Sequence, residues 1–225
     1  TLVKDTDYTV AYEDNTNAGT AKAVVVAKEG SDYTGRIEKA FTIKKANAVI
    51  SAKNITKTIG AKDFGFGASV DSGAALSYKS SNTKVIKVVK GKAQIVKTGT
   101  AKITITAAAT ANYNAAAKTI TIKVNGLKQA KISKVENKKS KQLKVTWKKD
   151  SNAAGYKVMY STDKKFKNKK VTKTITIKKN KTTSYTIKKL KKGKKYYVKV
   201  CSYVKVGKKQ VLGKYSKVKN IKIKK

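Results

Sequence analysis

The chain contains no histidine and no proline, and only one cysteine, one tryptophan and one methionine. Without histidine it lacks the side chain most often used as a general base and as a metal ligand. With Cys201 alone, no internal disulfide can form; that excludes a disulfide-stapled small fold but leaves export open. Acidic residues are scarce too, 12 against 54 basic ones, for a net charge of +42. No run of about 18 apolar residues is present, so no segment reads as a membrane span. Apolar residues nowhere recur with the helical period of 3.6; they alternate instead, the period of half-buried strands.

The positive charge is uneven. Residues 1–125 carry 19 basic and 9 acidic side chains (+10), and residues 126–225 carry 35 and 3 (+32). Arg36 is the only arginine. Readers of specific nucleic-acid sequence favour arginine, whose fork fits guanine and phosphate, so a lysine set points to no specific nucleic acid. It fits either a nonspecific cationic surface or solvated lysines alternating outward along strands.

The stretch from Thr183 to Val200 organises the rest. Tyr185 and Ile187 alternate with polar neighbours, Leu190 closes that run, Gly193 turns the chain, and Tyr196, Val198 and Val200 alternate again. Two strands therefore meet across a corner. Leucine, a glycine turn, tyrosine six residues after the leucine and then valine at every second position resembles the E–F corner of a fibronectin type III domain. The family's usual proline before the glycine is replaced by Lys192. The resemblance covers Leu127 to Lys225 and implies that the Tyr196 hydroxyl bonds to backbone near Leu190. It further implies that Leu143–Trp147 is strand B with Trp147 in the core, and that Gly155–Tyr160 is strand C with Tyr156 on one face.

Upstream, Tyr8, Val10 and Tyr12 alternate, Ala21–Ala27 reads as a strand, and Phe41–Ile43 reads as another. The phrases DTDYTV, NAGTA and the run from Tyr33 to Ile43 resemble the second half of bacterial immunoglobulin-like repeats. Between Asn47 and Val124, the phrases SSNTKV, GTAKITITA and NYNAAAKTITIKV resemble bacterial immunoglobulin-like domains of adhesins and cell-wall proteins. The expected organisation is thus all-β, tandem immunoglobulin-like and fibronectin type III-like sandwiches: a partial module over 1–46, an immunoglobulin-like domain over 47–125 and a fibronectin type III-like domain over 126–225. Thr1 lies inside a folded pattern, and the chain is expected to be a monomeric fragment of a longer one.

Little in the sequence points to catalysis. Serine and threonine abound without a histidine to activate them. Cys201 falls on the expected outward face of its strand, either as an exposed thiol or as a small residue on a strand face. Asp14, Asn15 and Asn17 are the nearest approach to clustered calcium ligands, although such residues mainly shape turns. Phe64 and Phe66 sit in a glycine-rich loop, for display or for core anchoring. No catalytic residue, cofactor or metal is expected. The resemblance implies a non-enzymatic stalk or adhesive part of a bacterial surface or secreted protein, extracellular, in contact with a cell-wall or host-surface polymer or protein. The alternative is a polyanion-binding module. Its contacts would be the turn lysines Lys188, Lys189, Lys191, Lys192, Lys194 and Lys195, with Lys138, Lys139 and Lys141, since no pleat places lysines in turns.

Overall fold

The computed structural model describes residues 1–224; Lys225, the last residue of the third expected module, lies outside them. Among the described residues every helical or extended element is a strand, giving the all-β class that alternation predicts. No helix of these residues is long and apolar enough to cross a membrane. By packing, the chain divides into two compact units. One holds residues 1–54, 66–79 and 103–120; the other holds 55–65, 80–102 and the chain from 121 onward.

In the first unit, β1 (Tyr8–Glu13), β2 (Gly19–Ala27) and β3 (Arg36–Ile43) form an antiparallel sheet in that order. Paired residues share a face, so the register puts Tyr8, Val10, Tyr12, Val25, Ile37 and Phe41 together. The opposite face carries ion pairs from Lys22 to Glu38 (3.0 Å) and from Arg36 to Glu13 (3.5 Å), with Arg36 also on Glu38. β3 thus begins at Arg36 and not at Phe41: its charged first half, in which Glu38 and Lys39 interrupt the apolar alternation, still pairs with β2. The apolar face stays largely open, with Tyr12 59% and Ile37 71% exposed.

Ten strands follow: β4 (Ala46–Asn47), β5 (Ile50–Ser51), β6 (Ile55–Thr58), β7 (Ser69–Val70), β8 (Leu76–Ser80), β9 (Ile86–Val89), β10 (Lys92–Ile95), β11 (Gly99–Ala107), β12 (Tyr113–Asn114) and β13 (Ala116–Asn125). Their pairings are β6-β13-β11-β8, the β9–β10 hairpin, and the short pairs β5–β7 and β4–β12. Strict alternation buries Ala101, Ile103, Ile105 and Ala107 of β11. Phe66 is buried and stacks on Tyr78 at 4.2 Å, so that loop aromatic anchors the core. The Asn112 side chain accepts the Ala18 N–H (2.7 Å) and donates to Asn17 Oδ1 (2.8 Å). Asn17, weighed above as a calcium ligand, therefore serves as a hydrogen-bond acceptor within this unit.

The remaining strands are β14 (Ile132–Glu136), β15 (Leu143–Trp147), β16 (Gly155–Ser161), β17 (Lys173–Ile177), β18 (Ser184–Ile187), β19 (Lys195–Val206), β20 (Lys209–Leu212) and β21 (Lys219–Lys222). One sheet runs β14-β15-β18 and the other β17-β16-β19-β20, with β21 continuing along β19 beyond β20. Their inner faces enclose a core of Leu143, Val145, Trp147, Tyr156, Val158, Leu190, Tyr196, Val198 and Val200. Trp147 is 2% exposed and meets the Tyr156 ring edge-on at 5.3 Å. The Tyr156 hydroxyl accepts the Asp150 N–H (2.9 Å) and donates to the Asn180 carbonyl (3.2 Å). At Gly155 any side chain is excluded, because a Cβ would lie 2.1 Å from the Ile177 carbonyl oxygen.

Cys201 departs from the sequence reading: it is fully buried. The face of β19 that carries Lys199, Cys201 and Tyr203 is covered rather than open. Lys199 Nζ sits over the rings of Phe166 (4.2 Å) and Tyr215 (4.8 Å). Burial pushes the thiol above its ordinary range and, together with the neighbouring thiol, drives Tyr215 up to about 12.

Candidate functional site

The corner between β18 and β19 is fixed by backbone bonds before any side chain points outward. Lys189 (φ 59°) and Gly193 (φ 78°) take left-handed backbone, and that conformation reverses the chain. Leu190 is buried, and its N–H donates to the Lys141 carbonyl at 2.9 Å. Tyr196 is 7% exposed, and its hydroxyl accepts the Lys191 N–H at 3.2 Å. Gly193 N–H donates to the Ile223 carbonyl (2.8 Å), and Ile223 N–H donates to the Lys194 carbonyl (3.0 Å).

On this frame lies a depression of about 870 Å³ lined by Lys173, Lys188, Lys189, Lys191, Lys194 and Lys195. Its other walls are Tyr160, Tyr196, Tyr197, Thr162, Val171 and Leu190. A second depression, about 420 Å³, is lined by Lys138, Lys139, Lys144 and Lys188 with Glu136, Gln142 and Thr186. Lys188 belongs to both.

Of the turn lysines singled out above, five from the corner thus line one depression, and Lys138 and Lys139 line its neighbour. Lys192 is exposed and lines neither. Lys141, in left-handed backbone at φ 52°, contributes its carbonyl to the corner. Lys173 and Lys144 escaped the sequence reading because both lie in strands, where lysine is expected to face solvent. Lys173 pairs with Tyr160 across β16 and β17, and that register brings it to the same wall.

Glu136 accepts from Lys134 (2.9 Å) and Lys138 (3.4 Å), and the Lys134 bond holds its carboxyl below the usual range. Asp163 accepts the N–H groups of Lys165, Lys167 and Asn168, which lower its pKa and fold the loop that carries Phe166. Among the described residues no three histidine, cysteine or acidic side chains gather as a metal would need.

Two sheets enclosing Trp147, with a tyrosine bonded into the corner between strands, define a β-sandwich of the fibronectin and immunoglobulin type. Residues 130–217 match the family model described as the fibronectin type III domain. No curated protein is similar to the chain in sequence. Among solved structures, the sixth fibronectin type III domain of human fibronectin type III domain containing protein 3 is 19% identical, with TM-score 0.35, over 44% of this chain and 88% of that one. The chicken CNTN1 FN1–FN3 domains are 13% identical, with TM-score 0.38, over 92% and 76%. Domains A168–A170 of titin are 13% identical, with TM-score 0.32, over 100% and 85%.

Proposed function

We propose that the chain is a non-catalytic stalk and adhesive part of a bacterial surface or secreted protein, acting outside the cell. In this reading three modules follow one another, residues 1–46, 47–125 and 126–225, the first a partial immunoglobulin-like module whose apolar face is open. They space or display other domains and make contact with a surface. The observation that carries the reading is the filled sandwich core over the fibronectin-type match: Leu143, Val145, Tyr156, Val158, Val198 and Val200 are all fully buried. Such a core supplies length and stiffness. The test is to place the chain between a cell-surface anchor and a reporter binder and measure the reporter's reach. Substitution by an unrelated sandwich of equal length should preserve reach, and deletion should shorten it. Reach unchanged on deletion would contradict the reading.

A further inference from the structure

The E–F corner gathers cations without their counter-ions. Six lysines converge on one depression that no acid lines. Of the three acids of residues 126–225, Asp163 accepts three loop N–H groups, Asp150 Oδ1 accepts the Asn152 N–H at 3.0 Å, and Glu136, held by Lys134 and Lys138, lines only the neighbouring depression. The pleat accounts for lysines along strands, but Lys188, Lys189, Lys191 and Lys194 sit in the turn. Meanwhile the Tyr196 hydroxyl, the buried Leu190 and the Gly193–Ile223 bond fix the turn's backbone, so the lysine stems leave it from set Cα positions. Pre-organisation of this kind lowers the ordering cost of binding.

We propose that this depression is a binding groove for a linear anionic polysaccharide bearing sulfate or carboxylate groups, with Lys188 extending the track toward Lys139 and Lys144. Lysine's compact ammonium pairs with any oxyanion and lacks the fork that grips phosphate and base edges together. Tyr160, Tyr197 and Val171 add apolar surface to the lining, against which the C–H side of a sugar ring can pack. The inference rests on the surface-contact half of the function proposed above. The reach experiment contains no polymer, so either can fail alone.

The test uses the full chain and two variants of equal charge. One replaces Lys173, Lys188, Lys189, Lys191, Lys194 and Lys195 with glutamine. The other replaces Lys87, Lys92, Lys97, Lys102, Lys118 and Lys123, all exposed. Binding to heparin, to polygalacturonate and to oligo(dT) is measured across a salt series, with folding checked by Trp147 fluorescence. The groove variant should lose roughly tenfold or more in affinity near physiological salt and much of its log–log salt slope, in the way that lost ionic contacts act on nucleic-acid binding. The second variant should change about threefold or less by the same measure. Heparin and polygalacturonate separate sulfate from carboxylate as the anion. Equal losses in the two variants would overturn the groove, and tighter binding of oligo(dT) than of either polysaccharide would overturn the ligand class.

Discussion

Replacing Tyr196 with phenylalanine removes one oxygen and leaves the ring in place. The ring is buried and lies 6.5 Å from that of Tyr160, so the substitution opens no cavity of consequence. The hydroxyl's contact is the Lys191 N–H at 3.2 Å, at the long end for such a bond. Lys191 is exposed, so water can reach the freed N–H and the loss stays near the net value of one neutral hydrogen bond, about 1 kcal/mol. In a domain of roughly 100 residues that lowers Tm by about 4–8 °C. Trp147, the only tryptophan, is buried in the same core, so its fluorescence during urea unfolding reports this domain within the intact chain. The midpoint should fall with the slope unchanged. A variant as stable as the parent would refute the bonded corner. A loss above about 3 kcal/mol would show that the ring itself had moved, since packing defects reach that size.

Other substitutions probe different contacts. Gly155→Ala should cost about 3 kcal/mol or more, the upper range for overpacking, because its Cβ meets the Ile177 carbonyl and the Tyr203 hydroxyl; a variant with the parent's urea midpoint would contradict the close approach. Deleting residues 1–45 should remove the open apolar face of β1–β3 and leave the Trp147 transition within about 2 °C, as for surface changes worth a few tenths of a kcal/mol. A large fall would show that this segment supports the rest. The folded chain retains the Cys201 and Tyr215 protons that an unfolded chain releases near ordinary thiol and phenol pKa values. Stability should therefore fall as pH rises past the ordinary thiol range, and again from about 10 toward about 12. Tyr215→Phe should show a smaller second decline, the remainder coming from Tyr156 and Tyr160, whose hydroxyls burial also raises; identical profiles for parent and variant would contradict the buried pair.

Much of the fold was legible because alternation records which face of a strand is covered. The Tyr196, Val198 and Val200 run could be placed on one covered face from its spacing, whereas Trp147 was placed in the core through the resemblance to strand B. Cys201 was misplaced for a physical reason: its partner Tyr215 lies outside its own strand, and a two-residue period carries no record of what lies over the second face. β3 was read short because its first half is charged, with Arg36 and Glu38 held by ion pairs to Glu13 and Lys22 on other strands. The turn lysines were visible as an excess of charge. Their convergence was not, since it depends on the Leu190–Lys141 bond and on the Tyr160–Lys173 register.

The stalk reading is tested most directly by pulling on the chain through its ends. A spacer must bear load as cooperative units, and β14 and β21, the first and last strands of the final sandwich, each pair into a sheet. Single-molecule stretching should show residues 126–225 unfolding in one discrete event that lengthens the chain by roughly 300 Å, the reach of about 100 extended residues less the folded length. That event should coincide with exposure of Trp147. Smooth extension without such a step would contradict the proposal that this chain works as a mechanical spacer.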